Sequence, residues 1–100
     1  VSYRPYRVSQ RDANEPKIVA TLDKFGARWW RMEPPCPFDL LVLYRGVFYA
    51  VEVKSGKGRL TDNQRRFDGE APLWIVRTPE DVADAIAEWG NSAIYSRGCK

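Results

Sequence analysis

The strongest constraint on the fold is a pair of β-rich runs, Phe38–Tyr44 and Val47–Lys54, separated only by Arg45-Gly46. Both runs are dense in branched and aromatic side chains, and the dipeptide between them is a hairpin signal. They are expected to form the centre of a sheet. With 100 residues there is room for one domain, and 44% hydrophobic content is enough for a single core.

The remaining elements follow from local signals. Asp12 or Asn14 as N-cap, Pro16 in the opening turn, Ile18, Val19, Leu22 and Phe25 on one stripe and Gly26 as the stop predict a first helix. Ala27 to Met32 reads as a strand, and Glu33 to Pro37 as a loop, because its prolines remove ladder donors. After Ser55 to Arg59, the Thr61-Asp-Asn-Gln64 segment has the capping-box pattern and opens a helix carrying Phe67, bounded by Gly69 and Pro72. Leu73 to Arg77 reads as a buried strand, and Thr78-Pro79 caps a last helix with Val82, Ile86 and Trp89 on one stripe and Gly90 at its end. The predicted order is α-β-β-β-α-β-α, an α/β domain over 12–90 with a basic arm at 1–11 and a tail from Asn91 to Lys100.

Composition excludes several chemistries. The chain has no histidine, which removes imidazole catalysis and His-ligated zinc. Cys36 and Cys99 are too few for a disulfide framework and are expected to be reduced. No apolar run approaches the roughly 18 to 20 residues of a membrane span, and the polar, basic start lacks a signal-peptide stretch, so a cytoplasmic setting is expected. Opening on Val1, the chain is expected to have lost an initiator Met or been trimmed. A net charge of +3 inclines it mildly toward a polyanionic partner. In the arm, Arg4, Arg7 and Arg11 with Tyr3 and Tyr6 suit a segment that tracks phosphates and stacks on bases; a frayed terminus would look the same.

The chemistry lies on the hairpin. If Arg45-Gly46 is a two-residue loop, Tyr44 lies opposite Val47 and, counting back, Asp39 faces Glu52. Two carboxylates about 4.5 to 5.5 Å apart at Cβ repel by roughly 3 kcal/mol at an effective dielectric near 20. A divalent cation held by oxygen ligands, such as Mg²⁺, relieves that repulsion, and Lys54 lies on the same face as Glu52. A four-residue loop keeps this register; a three-residue loop with a bulge at Gly46 shifts it by one. The plainer alternative is that Asp39 and Lys54 are ordinary strand-end residues and Glu52 pairs with Lys54 or Arg45 on a solvated face. Two carboxylates, a lysine and a hard cation suit phosphodiester hydrolysis.

Pro37-Phe38-Asp39 followed, after twelve intervening residues, by Glu52-Val53-Lys54 resembles the PD-(D/E)XK nuclease motif, and Leu60-Thr-Asp-Asn-Gln64 is similar to the LxxxQ segment of its VRR-NUC branch. Small phage and archaeal Holliday junction resolvases share this fold. The resemblance spans about Asp12 to Trp89. It implies a restriction-endonuclease-like domain with a central mixed sheet flanked by helices, Asp39, Glu52 and the Val53 carbonyl as metal ligands, Lys54 as the water-activating or charge-stabilising residue, and Gln64 as an accessory group. It also implies Mg²⁺ as cofactor, with Mn²⁺ able to substitute. Glu15 matches the extra acidic ligand often seen in the family, or serves the helix terminus alone. Phe38 between Pro37 and Asp39, and Pro34-Pro35-Cys36 in place of a glycine-rich approach, depart from the family pattern.

Lys57, Arg59, Arg65 and Arg66 surround the motif with phosphate-binding side chains, although a solvated helix face has the same composition. Trp29 and Trp30 must point to opposite faces, so one enters the core and the other needs a helix, a partner subunit or a nucleic-acid base to cover it. The expected function is a Mg²⁺-dependent, structure-selective deoxyribonuclease acting on branched or four-way-junction DNA, as a homodimer; the family resemblance implies that it leaves 5′-phosphate and 3′-hydroxyl ends. The alternatives are a replication-repair nicking or flap nuclease, or a catalytically silent DNA-binding module on the same fold.

Overall fold

The computed structural model describes residues 12–56 and 58–98, with backbone alone for 92–98. The elements are α1 (Glu15–Lys24), β1 (Arg28–Arg31), β2 (Leu40–Tyr44), β3 (Val47–Val53), α2 (Asp62–Glu70), β4 (Leu73–Val76) and α3 (Pro79–Gly98). The four strands form one mixed sheet in the order β1-β2-β3-β4, antiparallel except for the parallel β3–β4 pair. The arm at 1–11, with Arg4, Arg7 and Arg11, lies outside the described residues, as do Lys57 and Cys99.

The central hairpin has the register that its loop dictates. Tyr44 pairs with Val47 and the ladder runs back to Leu40 opposite Val51. Arg45 and Gly46 both take positive φ, 52° and 83°, the pair of left-handed conformations that lets a two-residue loop match the twist of the strands. Glycine adopts this without strain, which is why it occupies the second position.

Alternation along the strands sorts the side chains into two faces. Leu40, Val42, Val51, Val53 and Val76 bury against Ile18, Val19 and Leu22 of α1 and Val82, Ile86 and Trp89 of α3. At the edge of this core Trp89 stacks on Tyr49 with ring centroids 4.1 Å apart and meets Trp74 edge-on at 5.5 Å. The opposite face carries α2, where Phe67 meets Phe38 at 5.3 Å. α1 stops at Gly26, whose φ of 81° turns the chain so that the Ala27 N–H donates back to the Leu22 carbonyl at 3.0 Å.

Several boundaries differ from the sequence expectation, β3 and β4 each ending one residue early at Val53 and Val76. β2 begins at Leu40, leaving Phe38 and Asp39 outside the strand, because Pro37 ends the approach loop just before them. β1 is shorter than the Ala27 to Met32 run. The last helix does not end at Gly90 but continues to Gly98, so most of the expected tail is helical. An interior glycine costs a helix only about 1 kcal/mol, and the turns before it are held by Val82, Ile86 and Trp89. Among the described residues no helix is long and apolar enough to cross a membrane.

Candidate metal centre on the second face of the sheet

An open cleft of about 550 Å³ lies where the end of β3, the Glu33 to Asp39 loop and the start of α2 meet. Asp39, Glu52, Lys54 and Gln64 all line it, together with Phe38 and Cys36. Four of the side chains singled out from sequence are thus brought to one place by three separate elements.

Glu52 is 5% exposed, and one of its oxygens, Oε1, is buried with no hydrogen-bond partner among the described residues. The other, Oε2, lies 3.3 Å from the Lys54 Nζ. Burial, and next the charge of Asp39, push the Glu52 carboxyl up to about 7, while the Gln64 side chain and the Lys54 ammonium pull the other way. The solvated alternative for Glu52 therefore does not hold: it does pair with Lys54, but in a buried setting where desolvation outweighs that pairing.

Asp39 is not placed as a plain cross-strand neighbour of Glu52. Its N–H donates to the Val51 carbonyl at 3.1 Å, although Val51 is already the partner of Leu40, so the ladder slips by one residue here. The Asp39 Oδ2 instead accepts the Val53 N–H at 2.9 Å. A ladder continuing in register would have used the Phe38 carbonyl, and the carboxylate takes its place. Peptide groups alternate along a strand, and the Lys54 N–H donates to Val76 on the β4 side at 3.1 Å. Those of Val53 therefore face the β2 side, so the Val53 carbonyl looks toward Asp39.

Gln64 serves two roles. Its N–H donates to the Thr61 Oγ at 3.2 Å, and its Oε1 accepts the Thr61 N–H at 3.0 Å, completing the capping box of α2. With Oε1 so engaged, the amide nitrogen is the end left for Glu52, as its lowering effect on that carboxyl requires.

The other predicted residues lie elsewhere. Glu15 is 2% exposed and bonded through Oε2 to the Arg31 Nε at 2.6 Å, outside the cleft lining. Arg31 shares the α1 side of β1 with Trp29, away from Glu52. Among the described residues no group of three or more Cys, Asp or Glu side chains is arranged to hold a metal ion, so Glu15 does not complete a triad with Asp39 and Glu52. Arg59, Arg65 and Arg66 are exposed around the cleft's helix and loop without lining it, and Arg65 is ion-paired to Asp62 at 3.0 Å.

One contributor had no sequence signal beyond helix capping. The Asn14 side chain donates to the Arg77 carbonyl and, at 3.5 Å, to that of Lys54, joining the ends of β4 and β3. Such contacts, across dozens of positions, leave no local pattern.

The donor set fits a hard divalent cation. Two carboxylates and a backbone carbonyl supply only oxygen, Glu52 Oε1 lacks any hydrogen-bond partner among the described residues, and Mg²⁺ is commonly held by one or two carboxylates with water and substrate oxygens completing its shell. Compared with protein-family models, curated proteins and solved structures, the chain finds no match in any of the three.

Proposed function

We propose that the chain is a Mg²⁺-dependent endodeoxyribonuclease with a PD-(D/E)XK centre, acting on branched DNA, with the four-way junction as the leading substrate. The observation that carries this reading is the buried Glu52 Oε1, without a hydrogen-bond partner among the described residues, beside Asp39 and Lys54 in an open cleft. A protein without use for that carboxylate would be more stable with a neutral side chain there.

Asp39, Glu52 and the Val53 carbonyl would hold the cation, which when bound supplies Lewis-acid polarisation of a phosphate and a more acidic water. The rest is done by the chain. Asp39 and Glu52 orient the attacking water along the cleft. Lys54 Nζ, held beside Glu52, stabilises charge developing on the phosphate oxygens or moves the proton of the attacking water. Gln64 fixes the Glu52 carboxylate. Arg59, Arg65 and Arg66, with Lys57 and the arm residues Arg4, Arg7 and Arg11, would hold flanking phosphates. A two-fold dimer would present two such clefts to a junction that needs two symmetric nicks.

The test is incubation with end-labelled linear, nicked, flap and four-way DNA, with Mg²⁺ and with chelator. Mg²⁺-dependent nicking near the branch, leaving 5′-phosphate ends, supports the proposal. Binding without cleavage at any Mg²⁺ or Mn²⁺ concentration overturns it in favour of a silent DNA-binding module.

A further inference from the structure

The sheet face that carries Glu52 and Lys54 does not end at the cleft. Register places Trp30 beside Leu41 and Ala50, and Arg28 beside Leu43 and Phe48, in two adjacent cross-strand rows on that face. α2 runs from the cleft, which Gln64 lines, to an apolar groove that its Phe67 shares with Phe48 and Ala50. Trp30 is 40% and Phe48 58% exposed, their rings 6.2 Å apart, and the Arg28 guanidinium lies 5.3 Å over the Trp30 ring.

We propose that Arg28, Trp30 and Phe48 form a base-stacking platform that receives an unpaired nucleotide adjoining the phosphate at Glu52 and Lys54, so that among branched DNAs those with a base opened beside the cut, at a flap or at the exchange point of a four-way junction, are the favoured class. The proposal rests on the nuclease reading for the phosphate's position. It goes beyond that reading in naming what the remainder of the face binds.

Three observations select a base as occupant. The first is continuity: Phe38 lines both the cleft and the apolar groove that runs under Phe48, and Ala50 and Phe48 lie two and four positions along β3 from Glu52, roughly 7 and 13 Å at strand rise. The second is charge. The two rows contain one cation, Arg28, and no carboxylate, which suits a polyanion. A second copy of the chain docked on this face would cover Arg28 with no carboxylate in the two rows to pair it. The third is the pairing of exposed aromatic rings with a guanidinium, the combination that holds single strands through stacking and phosphate contact. A paired base keeps its faces inside the duplex and cannot use such a platform.

The experiment measures binding in chelator of a fluorescent single strand, the same strand with one abasic nucleotide, and the matching blunt duplex, to the wild type and to Trp30→Ala, Phe48→Ala and Trp30→Phe. Each alanine variant should weaken single-strand binding about tenfold and change duplex binding by less than about twofold, with Trp30→Phe near wild type. The abasic strand should bind the wild type as weakly as the intact strand binds Trp30→Ala. Equal effects on single strand and duplex, or none on either, overturn the platform. So does a concentration-dependent dimer that Phe48→Ala dissolves without altering strand binding, which would give this face to a second copy. Cleavage assays with Mg²⁺ on the same DNAs keep the two ideas apart. Strand-selective binding without cleavage sinks the nuclease reading alone, and cleavage indifferent to Trp30 and Phe48 sinks the platform alone.

Discussion

The Asp39 carboxylate replaces a backbone acceptor: its Oδ2 receives the Val53 N–H at 2.9 Å where β2 has already ended. One side chain therefore finishes a sheet ladder and presents negative charge to the cleft. Asp39→Asn keeps an acceptor for Val53 and should fold normally, yet lose Mg²⁺-dependent cleavage. Asp39→Ala strands that N–H and should cost about 1 to 3 kcal/mol in urea unfolding with chelator. Equal stability of the two variants would show that the hydrogen bond is immaterial.

Glu52 predicts a pH dependence in chelator. Its carboxyl is raised from the ordinary value of 4.5 to about 7 by burial and by Asp39. In the unfolded chain it gives up its proton at lower pH, so between those values the folded state holds more protons and stability falls as pH rises. The stability is fully present below pH 4.5 and is lost by the time pH passes about 7, a decline of up to about 3 kcal/mol. Glu52→Gln should flatten that decline and be the more stable protein at pH 8. Parallel pH profiles for the two proteins would refute the assignment.

Lys54→Met should retain DNA binding and lose about 100-fold or more in single-turnover rate, as expected of a group that acts mainly on transition-state charge. Arg59→Ala, Arg65→Ala and Arg66→Ala should instead weaken binding and flatten its salt dependence. Similar rate losses for Lys54→Met and these three at saturating DNA would erase the distinction.

Gln64→Glu keeps the capping acceptor but sets a further carboxylate against Glu52. Its stability loss relative to wild type should be larger at pH 8 than at pH 5, because only the ionised pair repels. Thr61→Ala removes the cap alone and should cost about 1 kcal/mol at both values. A pH-independent loss for Gln64→Glu would place its side chain away from Glu52.

Much of this arrangement is legible in local sequence. A two-residue turn with glycine second sets the hairpin register, and register puts Glu52 and Lys54 on one face; the Thr61 to Gln64 box starts α2 where it covers them. Effects that depend on tertiary partners are not legible. The slip at Asp39 arises because Pro37 stops the strand while Val53 still needs an acceptor. Glu15 looks like a ligand until Arg31, distant in sequence, engages it. Gly90 looks like a helix stop because nothing nearby tells how firmly the preceding turns are anchored.

The hairpin also bears on how the molecule assembles. Asp39 and Val53 are fourteen positions apart, and Glu52 and Lys54 flank the latter, so the metal-binding half of the centre closes only a short loop. That half belongs to one supersecondary unit of low contact order, able to zip up before β4 and α2 dock. Repulsion between its carboxylates is then met early in folding, so neutralising either one should speed refolding more than it slows unfolding.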